Sequence, residues 1–184
     1  MERSSGILLH PTSLPGPFGI GDLGPEAHRF VDSLAVSGCR RWQVLPLGPT
    51  GFGDSPYQAL SSFAGNPALI ALEPLVEDGL LTRDEIQPPA FPPDRVEFAD
   101  AFAWKRERVA RACERFEGDR PAELAGEHDR FASEAEPWLM DFALFVALKE
   151  QQGGRSWSEW PEPLRLREAG ALSSARRTLE QAAK

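Results

Sequence analysis

The sequence predicts an α/β fold: a parallel strand–helix–strand unit at the front, followed by a largely helical remainder. Three observations carry this. Two short apolar runs, Gly6–Leu9 and Trp42–Leu47, are each too brief for a helix and each ends in a long Gly- and Pro-rich loop. The stretch between them carries a helical face. Beyond residue 100 the texture turns to charged, amphipathic helices.

In chain order, Gly6-Ile7-Leu8-Leu9 is a continuous apolar run, the pattern of a strand covered on both faces. It stops at His10-Pro11, and the loop from Thr12 to Gly24 carries Pro15, Gly16, Pro17, Gly19 and Gly21. Pro25 suits the first residue of a helix, where its missing N–H costs nothing. Ala27, Phe30, Val31, Leu34 and Ala35 then mark one helical face, with Glu26 in the first turn and Gly38 as the C-terminal cap. Trp42, Val44, Leu45 and Leu47 form the second strand, with Pro46 at its C-terminal end because proline donates nothing to a sheet ladder. Strand, helix and strand imply a right-handed parallel unit.

Gly48 to Pro56 is a loop by its glycines and prolines. Ala68 to Leu72 fits a short strand or the start of a helix. Pro74 to Leu81 reads as a short helix or turn capped by Gly79, and Asp94 to Phe98 as a partly extended loop after Pro88-Pro89 and Pro92-Pro93. Val109, Ala112, Cys113 and Phe116 mark the next helical face, with Arg106, Glu107, Arg108, Arg111 and Glu114 on the solvated one. Leu124 to Glu134 is a further helix. In Trp138 to Glu150, Trp138, Phe142, Phe145, Val146 and Leu148 point toward a core. Gly153-Gly154 breaks the pattern, Trp157 and Trp160 staple an aromatic turn, and Leu164, Leu166, Leu172 and Leu179 lead into a last helix without a stop signal.

Composition excludes several classes. A formal net charge of -8 argues against a nucleic-acid partner, whose phosphates demand clustered Lys and Arg. Cys39 and Cys113 lie far apart, match no metal spacing and read as unpaired thiols of a reducing compartment. The N-terminus opens no long apolar run, so neither a signal peptide nor a membrane span is expected, and the cytoplasm is the default location. Neither a metal nor a cofactor is expected.

A strand pair apolar on both faces needs more sheet to bury it, and an eight-stranded barrel needs about 250 residues. The 184 residues therefore read as the front of a longer chain, truncated at 184. A complete small α+β domain is the competing reading.

Four motifs carry a resemblance: Gly6-Ile7-Leu8-Leu9-His10-Pro11-Thr12-Ser13-Leu14-Pro15-Gly16-Pro17, Trp42-Gln43-Val44-Leu45-Pro46-Leu47-Gly48-Pro49-Thr50-Gly51, Gly53-Asp54-Ser55-Pro56-Tyr57-Gln58 and Phe63-Ala64-Gly65-Asn66-Pro67. They resemble the 4-α-glucanotransferases, the amylomaltase or disproportionating-enzyme family, with weaker echoes at Ala103-Trp104-Lys105, Ala143-Leu144-Phe145 and Trp157 to Leu166. The resemblance implies a (β/α)8 TIM barrel with helical insertions. Residues 1–75 would be its first βα units with the substrate loop, and 76–184 a mainly helical insertion. It also implies transfer of α-1,4-glucan segments between maltooligosaccharide or starch- and glycogen-type acceptors by a retaining mechanism.

The family's catalytic carboxylates would lie beyond Lys184, so no residue here is catalytic and this stretch alone is expected to be inactive. By the same resemblance Tyr57 and Ser55 would line sugar subsites, with Gln58 a weaker candidate. Asp54 would organise the loop, accepting backbone N–H bonds in a glycine-rich turn. Many members carry two tyrosines at a second glucan site; Phe52 and Phe102 stand there, keeping the ring platform without the hydroxyls. The alternatives are a non-catalytic glucan-binding module and, from Gly48, Gly51 and Gly53, a phosphate-handling barrel enzyme. No Gly-Lys-Ser/Thr or helix start follows that loop, which weakens the last.

Overall fold

A computed structural model describes residues 3–182, without the side chains of Phe52 and of residues 179–182. Strand β1 (Gly6–Leu8) pairs in parallel with β2 (Arg41–Gln43), in the register Ile7 opposite Trp42, and helix α1 (Pro25–Val36) connects them. The parallel unit expected from the sequence is present. Both strands are shorter than the apolar runs. The ladder closes with Leu9 N–H donating to Gln43 O at 3.0 Å, and the chain then turns at Pro11–Ser13, leaving Val44 to Leu47 no partner strand. Pro46 accordingly lies past the strand end rather than in it. Burial on both faces is not found: among the described residues the two strands pair only with each other, and Ile7 and Leu8 stay 42% and 57% exposed.

In α1, Gly24 precedes Pro25 and Glu26 sits in the first turn. Ala27 and Leu34 are buried, Phe30 meets Trp42 edge-on at 5.1 Å, and Val31 and Ala35 stay exposed. Gly38, at φ 71°, releases the chain toward β2. The segment Ala68–Leu72 is neither strand nor helix. Asn66 accepts from Ala68 N–H at 3.0 Å, capping a 3-10 turn over Pro67–Leu69. Helix α2 (Glu73–Glu77) follows and ends with Gly79 at φ 75°.

Two compact units partition the chain, 1–125 and 126–184. Compactness thus divides the chain differently from texture, because α3 (Phe98–Asp119) packs on the first loop. Trp104 stacks on Phe18 at 5.6 Å, and Arg108 lies 4.2 Å above the Trp104 ring. The buried stripe of α3 is Ala101, Lys105 and Ala112, so Cys113 stands at its edge and is exposed; both cysteines are free.

Lys105 is 1% exposed and donates to Asp22 Oδ2 at 2.7 Å, while Asp22 Oδ1 accepts from Gly24 N–H. The pair ties helix and loop across 83 residues. Burial pushes the Lys105 ammonium below its ordinary value, with Asp22 and then Glu73 opposing. On the same helix Arg115 grips Glu85 through two 2.6 Å bonds, Arg111 adds a third, and Glu85 reaches back to Thr82 N–H at 2.8 Å.

The two helices expected over 124–134 and 138–150 are one, α4 (Ala122–Gln151), which passes through Pro137. Proline there removes one helical hydrogen bond without ending the helix, since the amphipathic face on both sides still pays for continuity. In the second unit Leu144 and Leu148 are buried with Trp160, while Phe145 packs against them only in part. Leu144 and Leu148 form the buried face, with Phe145 at its edge. Past the Gly153-Gly154 turn come α5 (Glu162–Arg165) and α6 (Ala169–Ala182); the Leu179 side chain lies outside the described residues.

Candidate functional site

The loop after β2 is built as a small hairpin. Thr50 bridges Ala59 in antiparallel fashion, Gly51 N–H donates to Gln58 O at 2.9 Å, and Leu60 N–H donates to Pro49 O at 2.8 Å. A Cβ on Gly51 would stand 2.7 Å from Gln58 O, so only glycine lets the two limbs meet. The tip holds two 3-10 turns, Phe52–Asp54 and Pro56–Gln58. Gly53 and Asp54 both take left-handed backbone there, at φ 69° and 54°, a conformation that Asp tolerates better than most residues.

This geometry positions the expected site residues unevenly. Tyr57, second residue of its 3-10 turn, projects its ring outward and is 74% exposed. The ring is thus not packed beneath its loop. Ser55 and Asp54 are half-buried beside it. Among the described residues the Asp54 carboxylate accepts no hydrogen bond. Asp54 therefore shapes the turn through its backbone conformation, not through the carboxylate bonds expected of it. Gln58 is exposed, and its contribution to the hairpin is its backbone carbonyl.

Tyr57 and Phe63, itself 73% exposed, both line an open depression of about 590 Å³. Phe63 escaped the sequence reading as a site residue. The signal was present: Ser61 precedes it by two positions, and Ser61 Oγ accepts from Phe63 N–H (3.1 Å) and Ala64 N–H (3.0 Å), a local turn that holds the aromatic out. Ser61 and Ser62 also line the depression. Asn66 N–H donates to the carbonyl of Leu47, a lining residue, at 2.9 Å. Two exposed aromatic rings and hydroxyl side chains lining one depression suit a ligand with apolar C–H faces and a polar rim.

The neighbouring first loop is fixed by His10. Its Nδ1 accepts from Thr12 N–H at 3.3 Å and lies 2.7 Å from Thr12 Oγ1, and Trp42 Nε1 donates to Leu9 O at 2.7 Å. Phe102 packs in part against Ile20, Ala68 and Ala101 and meets Phe98 edge-on at 5.9 Å. The Phe52 side chain lies outside the described residues. No helix N-terminus opens from the glycine loop, which removes the motive for a phosphate site. Among the described residues there is no cluster of metal-ligating side chains, and no helix is long and apolar enough to cross a membrane.

A sequence profile of the 4-α-glucanotransferases matches residues 9–184. The chain belongs to the 4-α-glucanotransferase family. Among curated 4-α-glucanotransferases, that of Thermus thermophilus is 48% identical over 184 residues, covering 98% of this chain and 36% of the relative. The Synechocystis enzyme is 45% identical over 93% of this chain and 34% of its own length. The chloroplastic/amyloplastic enzyme of Solanum tuberosum is 44% identical over 93% of this chain and 30% of its own length. Among solved structures, an amylomaltase from Streptococcus agalactiae in complex with acarbose superposes with a TM-score of 0.89 at 38% identity, over 98% of this chain and 36% of that one. The chain thus spans about a third of the length of the 4-α-glucanotransferases it matches.

Proposed function

We propose that this chain is the substrate-loop portion of a 4-α-glucanotransferase that moves α-1,4-glucan segments between maltooligosaccharide or starch- and glycogen-type acceptors. The observation that carries the reading is the exposed Tyr57 ring, which shares the lining of one depression with the exposed Phe63. A glucosyl unit offers a C–H face to such a ring and its hydroxyls to Ser61, Ser62 and the Tyr57 O–H. Ser55 and Gln58 supply polar contacts at the loop tip, and Asp54 holds the backbone that aims them. The similarity to an amylomaltase solved with acarbose supports an oligosaccharide as the ligand.

In this reading β1, α1 and β2 open an eight-stranded barrel. Residues 1–75 are its first units and 76–184 a helical insertion. The sheet's uncovered apolar strands await the rest of that barrel. A retaining transfer needs a nucleophile and an acid/base about 5–5.5 Å apart. Those carboxylates come from the remainder of the protein, and this chain supplies binding and orientation. Phe52 and Phe102 offer a weaker second glucan contact, since Phe102 spends part of its ring on internal packing. A cytoplasmic location fits a glycogen- or starch-type substrate.

The test is Tyr57→Ala in the complete protein, with maltotriose as substrate. Removing the ring and its hydroxyl is expected to lower kcat/KM about ten- to thirty-fold, from roughly 1 kcal/mol for each contribution. Tyr57→Phe recovers the ring's share. Unchanged kinetics with a lowered melting temperature would assign Tyr57 to loop packing instead.

A further inference from the structure

The second unit contains a pocket that the reading of the first does not use. Lys149 Nζ donates to Gly154 O at 2.9 Å and Arg155 O at 3.2 Å, clamping the Gly153-Gly154 turn, whose φ angles are 65° and 78°. The next residues form a 3-10 turn over Trp157–Glu159, capped by Ser156 Oγ. Its two tryptophans part ways. Trp160 is buried, lies 5.6 Å from Phe145 ring to ring, and donates its indole N–H to Arg155 O. Trp157 is 57% exposed, and its indole N–H has no partner among the described residues. The turn is held without it.

Trp157 forms one wall of a cavity of about 420 Å³, within the usual range for a small-molecule site. Leu144, Leu148 and Trp160 make the floor; Asp141 and Arg167 stand at the rim. Arg167 donates to Asp141 Oδ2 at 2.6 Å, Arg176 reaches Oδ1 at 3.4 Å, and Arg165 faces Glu162 at 3.9 Å. Each guanidinium at the rim thus already has a carboxylate partner. The rim presents donors and acceptors more than an unbalanced charge, which favours a neutral polyol over a phosphate or a carboxylate ligand. An indole face beside an apolar floor fits the C–H face of a hexose, and Asp141 and Arg167 fit its hydroxyls.

We propose that this pocket is a further α-glucan contact, apart from those of Tyr57 and of Phe52 and Phe102, in which Trp157 is the stacking platform and Asp141 with Arg167 orient the ring. The proposal rests on the glucan reading of the protein and extends it to chain length. Amylose, with its many glucosyl units, can occupy more than one contact at once, so a contact here is read on amylose.

The experiment uses the complete protein and its Trp157→Ala and Trp157→Phe variants, with retention on an amylose-containing gel and kinetics on amylose and on maltotriose. Trp157→Ala is expected to lose most of its retardation and to raise KM for amylose about ten-fold, the size of one aromatic contact. Its maltotriose kinetics and melting temperature stay unchanged, and Trp157→Phe restores part of the retention. Unchanged retention and amylose KM would overturn the proposal. So would a parallel fall of melting temperature and of activity on both substrates, which marks a structural tryptophan. A wild-type protein that retards on amylose yet does not disproportionate maltotriose would overturn the transferase reading and leave this site standing.

Discussion

Replacing Lys105 by methionine keeps the stem that packs in α3 and removes the charge that faces Asp22. The wild-type ion pair is closed to water, with side chains 1% and 10% exposed, and its donor–acceptor distance is 2.7 Å. Stripping one partner from a buried pair costs about 3–5 kcal/mol, mostly the desolvation of the charge left behind. Asp22 keeps its bond from Gly24 N–H, so the lower end applies: about 3 kcal/mol, more than a hundredfold in the folded-to-unfolded ratio. The Lys105 ammonium also lies 5.7 Å from the Phe18 ring centre, and a methionine sulfur replaces part of that contact.

Urea unfolding of the complete protein, followed by tryptophan fluorescence, measures the loss, since Trp104 precedes Lys105 and stacks on Phe18. Asp22→Asn and the double variant complete a cycle. A coupling of about 2 kcal/mol or more is expected, the double variant losing that much less stability than the two single losses added together. A cost below about 1 kcal/mol for Lys105→Met, with coupling under about 0.5 kcal/mol, would refute the claim that this pair holds the Thr12–Gly24 loop to α3.

The Arg115 guanidinium, followed by the Thr82 amide, holds the Glu85 carboxyl well below the usual carboxylate range. A carboxylate depressed on folding contributes stability that is complete above its unfolded value, about 4.3, and is lost as pH falls through the folded one. The advantage of wild type over Glu85→Gln in denaturant should thus be flat from neutrality to about pH 5 and shrink steadily below, whereas an advantage that persists at the acid end would contradict it. Gly19, at φ 75°, faces Phe91 so closely that a Cβ would stand 2.4 Å from the ring, while Gly79, also at φ 75°, faces open space. Gly79→Ala should cost about 1 kcal/mol in backbone strain alone, and Gly19→Ala roughly 1–3 kcal/mol more for displacing the ring. Equal losses in thermal melts would show that Phe91 moves freely.

The parallel strand–helix–strand unit was legible because its signals are local: two short apolar runs, a proline at N1 and a glycine at the helix end. Strand length was not. Hydrophobicity carried the second strand to Leu47, but a strand ends where its partner leaves, and β1 leaves at Leu9. The break assigned between 134 and 138 failed for the same kind of reason. Pro137 is a local stop signal, and a 30-residue helix with apolar packing on both sides of it overrides one missing hydrogen bond. Lys105 could have been found. It stands four residues before Val109 on the stripe already read as apolar, and a lysine on such a stripe needs an acid. Which acid, 83 residues away, no periodicity can tell.

The candidate site divides along the same line. Tyr57 was singled out through family resemblance, and the turn that projects it, Pro56–Gln58, is encoded by its own proline. Phe63 was quoted in a motif and given no role: Ser61 marks the turn that exposes it, but not that it lines one depression with Tyr57. That proximity comes from the Thr50–Ala59 bridge and the Asn66–Leu47 bond, two non-local closures that fold the segment back on itself. Asp54 shows the opposite error. A carboxylate in a glycine-rich turn suggests side-chain capping, yet the backbone at φ 54° lets Asp54 serve as a second left-handed residue after Gly53. Composition thus identified the turn but misassigned the atom that makes it. Asp54→Asn, which keeps the left-handed tolerance and deletes the charge, should for that reason leave the loop intact where Asp54→Val, stiff at χ1 and strained at positive φ, should not.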